Sequence, residues 1–342
     1  MANRLGLGHR TLPLLALAVL LAPLSASAAG RFCSETTAAA FGACQNAARD
    51  DLDTALGICV NVPDPATQSQ CDADAKAAKK DAEQGCKDQR AARRDVCSAL
   101  GEARYAPSFA PADFDSDFEN LTHPNTYFPL AIGNQWTYAS TNEIDTTTIT
   151  SATKLIAGVT CIVSHDVVTT DGDLTEDTDD WFAQAKSGDV FYCGEETKQF
   201  ESFAGDNPRE PELVGIEGAF KAGREGAQPG ILSLASPTVG ALYRQEFDLG
   251  NAEDLGEVLS TTYTYGQNTV LDQFVPQALA DALCAGNCVV TREFSPLEPD
   301  APEHKYYAPG IGIFLEVALD TGETTRLVDC NFDARCGTLP GP

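Results

Sequence analysis

Four oxygen-bearing side chains occupy alternating positions near the middle of the chain: Asp171, Asp173, Thr175 and Asp177. Oxygen ligands spaced in this way are typical of a calcium loop. The pattern departs from an EF-hand because Glu176 and Phe182 stand where that loop has its glycine and its bidentate glutamate. Asp171-Gly172 also lies between two predicted strands, which favours a hairpin turn. The four residues are candidate calcium ligands, and no other cofactor is evident.

Aromatic and basic residues cluster near the C-terminus, directly before Pro309-Gly310. Together with the two tryptophans they give six candidate binding residues: His304, Lys305, Tyr306, Tyr307, Trp136 and Trp181. Aromatic rings beside polar groups can form a platform for a sugar or a lipid. Aromatic residues in strands are more often part of the core, and a strand edge that leads into a turn would explain residues 304–307 equally well. Core packing is therefore the alternative to a ligand platform.

The sequence lacks the motifs of the common hydrolases. It has no G-x-S-x-G nucleophile elbow and no H-E-x-x-H motif, and His123, His165 and His304 are isolated from one another. The many acidic residues make close carboxylate pairs inevitable, so a carboxylate-based or divalent-cation-dependent hydrolase stays open. No catalytic residue can be named from the sequence, and the balance favours a protein that is not an enzyme.

The first 28 residues have the pattern of a cleavable secretory signal. Arg4 and Arg10 precede an apolar run over residues 12–24, and the small residues 25–28 follow this run. The apolar run is shorter than the roughly 20 residues that a membrane-spanning helix needs. We therefore expect cleavage after Ala28, secretion to the periplasm or the extracellular space, and no membrane anchor.

Acidic residues dominate the charge of the chain. It has 50 acidic and 23 basic residues, a net charge of −27, and the acidic excess lies in residues 106–342. Such a surface repels nucleic acid and anionic lipid, attracts cations and keeps a secreted protein in solution. We therefore expect no nucleic-acid partner, and the ligand or protein partner stays unknown.

Twelve cysteines, an even number, indicate disulfide bonds in an oxidising compartment. Six of them follow at intervals of 11, 15, 12, 15 and 11 residues: Cys33, Cys44, Cys59, Cys71, Cys86 and Cys97. Intervals of 11 and 15 residues keep side chains near one face of an α-helix, and a palindromic series fits two antiparallel helices. We predict a helical hairpin over residues 29–105 with the nested bridges Cys33–Cys97, Cys44–Cys86 and Cys59–Cys71.

The character of the chain changes after a Pro- and Asp-containing linker at residues 106–126. Short runs of β-branched and aromatic residues then alternate with turn signals, except in residues 201–240, which look like a long loop. About ten strands without intervening helices predict an acidic antiparallel β domain over residues 127–342, a sandwich or a barrel. The fold class is α+β. The remaining cysteines predict three further bridges: Cys161–Cys193, Cys284–Cys288 and Cys330–Cys336.

Three segments of the predicted β domain look familiar. They are residues 127–130 (YFPL) followed by 133–138 (GNQWTY), residues 178–184 (TDDWFAQ), and residues 303–312 (EHKYYAPGIG). Through them, the chain resembles a family of uncharacterised secreted bacterial proteins with a β-rich domain, over roughly residues 125–328. Several members of that family carry a cysteine-bearing helical region ahead of the domain. The resemblance implies this fold and a bacterial origin, and it assigns no residue a role.

Three functions fit these features. The first is a secreted, non-enzymatic binding or interaction protein, in which a disulfide-stapled hairpin presents an acidic β domain. The second is the hydrolase, which requires a concave site with converging carboxylates and at least one strongly shifted pKa. The third is a calcium-binding protein. The sequence favours the first.

Overall fold

The computed structural model describes residues 30–341, so the predicted signal at residues 1–28 lies outside the described residues. The described chain opens with two antiparallel helices, α1 Phe32–Cys59 and α2 Pro65–Leu100. Asp64 caps α2 by accepting a hydrogen bond from the backbone N of Thr67 at 2.8 Å. Pro65 at the first helical position fixes the same start. The predicted helical hairpin is confirmed.

Disulfide bonds hold this hairpin together. The two helices are joined by three nested bridges: Cys33–Cys97, Cys44–Cys86 and Cys59–Cys71. The buried apolar residues of the pair are mainly alanines, valine and the cysteines themselves, so little apolar area is removed from water. The bridges therefore supply much of the stability that a small helical core lacks. Three more bridges lie in the β-rich part: Cys161–Cys193, Cys284–Cys288 and Cys330–Cys336.

Fourteen strands follow, with one short helix among them. Their bounds are β1 Gln135–Ala139, β2 Glu143–Ile156, β3 Val159–Thr170, β4 Asp173–Gln184, β5 Val190–Glu201, β6 Glu212–Gly215, β7 Gln228–Ser233, β8 Leu242–Arg244, β9 Glu246–Phe247, β10 Leu255–Tyr263, α3 Gln277–Leu283, β11 Cys288–Phe294, β12 Glu303–Ala308, β13 Gly312–Ala318 and β14 Thr324–Cys330. All strand pairs are antiparallel. The predicted antiparallel β fold is confirmed.

The sheet curls until its two ends meet in one short segment. Its strand order runs from β8 through β10–β14 and β1–β5 to β7 and β9, with β6 paired to β5 off this path. The first and last strands, β8 and β9, are neighbours in sequence and together span residues 242–247. This segment pairs with β10 on one side and with β7 on the other. The result is a nearly closed antiparallel barrel.

The prediction that residues 201–240 form a long loop is wrong in part. This region contains β6 and β7, and β7 completes the barrel wall between β5 and β9. β7 is hard to recognise in the sequence because it contains Pro229-Gly230, and proline and glycine are uncommon inside strands. A Cβ atom on Gly230 would lie 2.0 Å from the carbonyl O of Gln245. Glycine is thus required here by the close approach of two backbones. The short helix α3 also departs from the expectation of strands alone.

Contacts join the helical hairpin to the barrel. Arg93 of α2 forms a buried ion pair with Glu253, which precedes β10, with Nη2 2.6 Å from Oε1. Gln89 donates a hydrogen bond from Nε2 to the carbonyl O of Leu297 at 3.0 Å. Within residues 30–341, no helix has the length and apolar character needed to cross a membrane.

Residues 106–126 run along the barrel surface and add to its core. Phe114 is buried and packs edge-on against Phe191 of β5 with ring centroids 5.1 Å apart. Asp115 is also buried; its carboxylate accepts hydrogen bonds from the backbone N and the hydroxyl of Thr122, at 2.9 and 2.6 Å. These contacts fix the entry of the chain into β1.

Candidate binding cavity in the barrel

A cavity of about 310 Å³ lies inside the barrel. Alternate residues of a strand point to the same face of a sheet, and this rule explains which residues line the cavity. On β2 they are Asp145, Thr147 and Ile149, and on β3 they are Ser164 and Asp166. The wall is therefore built by the inward faces of the strands.

Acidic residues from five strands point into this cavity. They are Asp145 on β2, Asp166 on β3, Asp180 on β4, Glu246 on β9 and Glu316 on β13. Among them, only Glu316 has a basic side chain of the described residues within 4.0 Å. The other four carboxyl groups are half-buried and have no neutralising partner among the described residues, which is an unusual arrangement for acids partly removed from water.

Asp145 and Asp166 form a carboxyl pair on adjacent strands. Oγ1 of Thr147 lies 3.3 Å from Oδ1 of Asp145 and 3.2 Å from Oδ1 of Asp166. Burial, together with the hydrogen bond and the negative charge of Asp166, raises the pKa of Asp145 well above its ordinary value. The environment therefore favours the protonated form of Asp145.

Asp180 belongs to a second hydrogen-bonded group. Its carboxyl is bonded to the hydroxyl of Tyr192, whose Oη also lies 3.1 Å from Oε2 of Glu195. Burial, then the charge of Glu195, raises the pKa of Asp180 well above its ordinary value. Burial likewise raises the pKa of Glu246, and the charges of Asp254 and Glu195 add to the effect. These acids keep their protons at pH values where exposed carboxyl groups are ionised.

Lys305 is the basic residue of the cavity. Its Nζ lies 3.3 Å from Oε2 of Glu293 and 3.5 Å from Oε1 of Glu316, and 23% of its side chain is exposed. Burial alone would lower the pKa of Lys305, but Glu316, Glu293 and Glu303 together raise it well above its ordinary value. The lysine is therefore a fixed ammonium ion held between carboxylates.

Aromatic side chains complete the wall. Trp136 donates a hydrogen bond from Nε1 to the carbonyl O of Ile311 at 2.7 Å, which fixes the orientation of its ring. Phe182 stacks on Tyr192 with ring centroids 5.1 Å apart, and both rings line the cavity. Tyr138 hydrogen-bonds to the carbonyl O of Ile313 at 3.2 Å. The site thus combines acids with rigid aromatic surface.

Ser164 adds a polar atom that has no partner. The residue is 1% exposed and lines the cavity, and its Oγ makes no hydrogen bond within residues 30–341. Burying an unpaired hydroxyl costs about 1–3 kcal/mol. A native structure tolerates such a cost chiefly where the group contacts a ligand or water.

A second cavity of about 440 Å³ adjoins the first and shares Glu246 and Lys305 with it. Seven acidic residues line it: Glu195, Glu217, Glu246, Asp254, Glu293, Glu298 and Glu303. Burial raises the pKa of Asp254 and of Glu303. We call the two cavities together the lumen. Lys305 is the one basic residue among the described residues that line it.

The structure divides the six candidate binding residues between different places. Trp136 and Lys305 line the first cavity, whereas Tyr307 contacts a small neighbouring cleft and donates a hydrogen bond to Oε1 of Glu293 at 2.7 Å. His304 and Tyr306 do not line the lumen; Tyr306 donates a hydrogen bond to the carbonyl O of Leu271 at 2.6 Å. Neighbouring residues of β12 thus face opposite sides of the sheet.

Trp181 lies in a separate core cluster and does not line the lumen. It is 2% exposed, and Nζ of Lys154 sits 3.6 Å from the centre of its ring. Nζ of Lys221 lies 4.6 Å from the same ring. The ring therefore serves packing and cation–π contacts with these two lysines.

The candidate calcium ligands lie at and beyond a hairpin turn. Asp171-Gly172 forms the turn between β3 and β4, with φ of +54° and +89°. Asp173 pairs with Arg209, and Nζ of Lys198 lies 3.4 Å from Oδ1 of Asp177. Thr175 donates its hydroxyl to the carbonyl O of Val168 at 3.2 Å. Across residues 30–341, no group of three or more His, Cys, Asp or Glu residues is arranged to hold a metal ion.

Sequence reasoning missed the acidic residues of the lumen. The signal was present as the two-residue spacing of cavity-lining residues along a strand, such as Asp166 two residues after Ser164, and Asp180 two residues before Phe182. In an antiparallel sheet with one face exposed to solvent, polar residues at alternating positions indicate the exposed face. Only closure of the barrel turns that polar face inward.

Comparisons with known proteins give little further guidance. No family model matches the chain, and no curated protein matches it. Among solved structures, the chain is similar to a protein of Parabacteroides distasonis described as a "putative lipoprotein", with 11% identity and a TM-score of 0.31, over 61% of this chain and 99% of that chain. At this TM-score the similarity carries no argument. The family resemblance of the three sequence segments stays a prediction.

Proposed function

We propose that this protein is a secreted, non-enzymatic binding protein that holds a small molecule inside its barrel. The observation that carries the proposal is the lumen itself, a cavity of about 310 Å³ and a second one of about 440 Å³ that shares two lining residues with it. Binding sites for small molecules have volumes of roughly 300–1,000 Å³ and combine apolar walls with a few polar groups. Small barrels hold one such ligand in their interior.

Two further features support this proposal. The six disulfides are typical of proteins that work outside the cytoplasm. Unpaired acids and an unpartnered serine hydroxyl in the lumen reduce the stability of the fold. Such costs are typical of sites kept for function.

Trp136 offers a direct test, because it is one of two tryptophans and lines the first cavity. In the Trp181→Phe variant, the remaining fluorescence comes from Trp136 alone. We expect members of a library of small cations, neutral molecules and anions to change this emission saturably. A bulky Ser164→Leu substitution, which fills the cavity, is expected to abolish the response. A folded variant whose emission responds to no compound would contradict lumen binding.

The Asp145–Asp166 pair favours a second candidate, a carboxylate-based hydrolase. Asp145, whose raised pKa favours its protonated form, could act as a general acid beside the second carboxyl group. Incubation with chromogenic glycosides and peptides between pH 4 and pH 7 tests this function. Turnover that is lost in Asp166→Asn supports it, whereas absence of turnover, or equal turnover in the variant, excludes this pair as the catalyst.

A further inference from the structure

We infer that the molecule held in the lumen is a small organic cation whose positive groups are protonated amines, as in an aliphatic diamine or polyamine. This inference rests on the proposed function and names the chemical class of its ligand. Four carboxyl groups around the first cavity, those of Asp145, Asp166, Asp180 and Glu246, have no basic partner within 4.0 Å among the described residues. A cation bound between them would stabilise the ionised form of these carboxyl groups.

Lys305 shows how the lumen holds an ammonium group. Its Nζ sits between Glu293 and Glu316 at 3.3 and 3.5 Å. Asp166 and Asp180 line another part of the wall and have no ammonium group of their own within 4.0 Å among the described residues. A ligand amine placed there would repeat the arrangement that the protein already makes with its own lysine.

The hydroxyl of Ser164 supports the same ligand independently of the acids. It is 1% exposed, lines the cavity and lacks a partner within the described chain. The hydroxyl oxygen can accept a hydrogen bond from an ammonium group, and so can the oxygens of a carboxyl group. The lumen therefore offers acceptors to a ligand rich in N–H donors. A quaternary ammonium ion carries the charge but has no N–H to donate.

The walls favour an organic cation over a metal ion. A calcium ion needs six to eight oxygen ligands at about 2.3–2.6 Å, and no described residues form a group suited to a metal. The acids instead come from five different strands that line a cavity of about 310 Å³. Trp136, Phe182 and Tyr192 supply ring surface that contacts aliphatic carbon and attracts cations.

The shape of the lumen favours more than one amine. The second cavity carries its own acids and shares Glu246 and Lys305 with the first. A chain with amino groups at both ends can place one in each cavity, with methylene groups between them. A compact monoamine would fill only the first cavity.

Calorimetric titration at 150 mM salt and pH 7.5 tests the inference, with spermidine and putrescine as probes. Tetramethylammonium, calcium chloride, glucose and citrate serve as comparisons. Because any polycation adheres weakly to a chain of net charge −27, a supporting result must show one saturable site and a change in Trp136 emission. We expect spermidine to meet both criteria and tetramethylammonium to bind about tenfold or more weakly.

Variants separate the lumen from the outer surface. Asp166→Asn and Asp180→Asn keep the size of the side chain and are expected to weaken spermidine binding about tenfold or more. Asp206→Asn, at an exposed position away from the lumen, serves as the matched control and should leave binding unchanged. Equal affinities in all three variants would overturn the inference.

Other outcomes distinguish the inference from the proposed function. If glucose or citrate changes the Trp136 emission and the amines do not, the barrel binds a ligand but the inference about its charge is wrong. Binding of calcium in place of the amines overturns the inference in favour of a metal. If none of the probes reaches Trp136 in the folded protein, the amine inference fails directly, and the wider library decides the proposed function.

Discussion

Arg93 of helix α2 forms a bidentate ion pair with Glu253 of the barrel. Nε of Arg93 lies 2.9 Å from Oε2 of Glu253 and Nη2 lies 2.6 Å from Oε1, with 6% and 2% of the two side chains exposed. Glu253 also accepts a hydrogen bond from the backbone N of Gly250 at 2.8 Å. The pair therefore fastens the helical hairpin to the loop before β10.

Removal of this guanidinium leaves a buried carboxylate without a partner. Arg93→Ala is expected to lower the free energy of unfolding by about 3–5 kcal/mol. Urea unfolding followed by circular dichroism measures the effect, and Arg94→Ala at the neighbouring exposed position is the control. A loss as small as that of the control would show that the ion pair does not stabilise the docking.

Gly230 is the point at which the barrel closes. Alanine there would place a Cβ atom 2.0 Å from the carbonyl O of Gln245, so β7 and the segment 242–247 must separate. We expect Gly230→Ala to lower the melting temperature and to increase hydrogen exchange in β7 and β9. Gly42→Ala in α1 meets no atom within 4 Å and should stabilise the protein by about 0.5–1 kcal/mol. Equal effects of the two substitutions would contradict the proposed closure.

Asp180 should make stability depend on pH. Its pKa is raised in the folded state by burial and by Glu195, so the folded protein binds the proton more tightly than the unfolded chain. This contribution is fully present below the unfolded pKa of about 4 and is lost as the pH rises through the folded pKa. The Asp180→Asn substitution removes this pH-dependent contribution to stability.

We therefore expect Asp180→Asn to be more stable than the wild type by about 1 kcal/mol or more at pH 8, with no such gain at pH 4. Urea unfolding at both pH values measures the difference, and Asp206→Asn should follow the wild type. A variant that is less stable than the wild type at pH 8 would show that Asp180 supports the fold instead of weakening it.

The middle disulfide of the hairpin should carry a large share of its stability. Cys44 and Cys86 are 42 residues apart in sequence, whereas Cys284 and Cys288 are 4 residues apart. In the chain-entropy model a longer loop gives greater stabilisation. Replacing both Cys44 and Cys86 with alanine is expected to cost about 2–4 kcal/mol.

The matched Cys284→Ala/Cys288→Ala protein is expected to lose less stability, since its loop is so short. Thermal unfolding monitored at 222 nm, a wavelength that reports helix, compares the two variants. A greater loss from the short loop would indicate that strain or packing, and not loop length, governs the contribution of each bridge.

The helical hairpin could be predicted because the spacing of its cysteines can be read directly from the sequence. The cysteine intervals fix both the helical face and the antiparallel pairing, and the bridge Cys44–Cys86 lies where the spacing requires it. The β strands could be found for a similar reason, since each is marked by its own composition and turns. β7 was missed because the contact that demands Gly230 involves Gln245, which is distant in sequence.

The lumen could not be predicted from the same information. Whether Asp145 and Asp180 lie on the outer surface or line the cavity depends on how the sheet closes, and closure is a property of the whole strand order. Sequence analysis singled out Trp136 and Lys305, which line the lumen, because both stand in distinctive segments. It grouped them with Trp181 and His304, which do not line the lumen. Trp181 packs in a separate core cluster, and His304, the residue before Lys305 on β12, faces the other side of the sheet.

A crystal structure of the protein grown with spermidine tests the central claim most directly. Binding of an organic cation in the lumen predicts continuous, elongated density inside the barrel, with an amine within hydrogen-bond distance of Asp166 or Asp180. The aliphatic part should lie against Trp136 or Phe182. Spermidine found only on the outer surface, with water alone between the strands, would contradict the account.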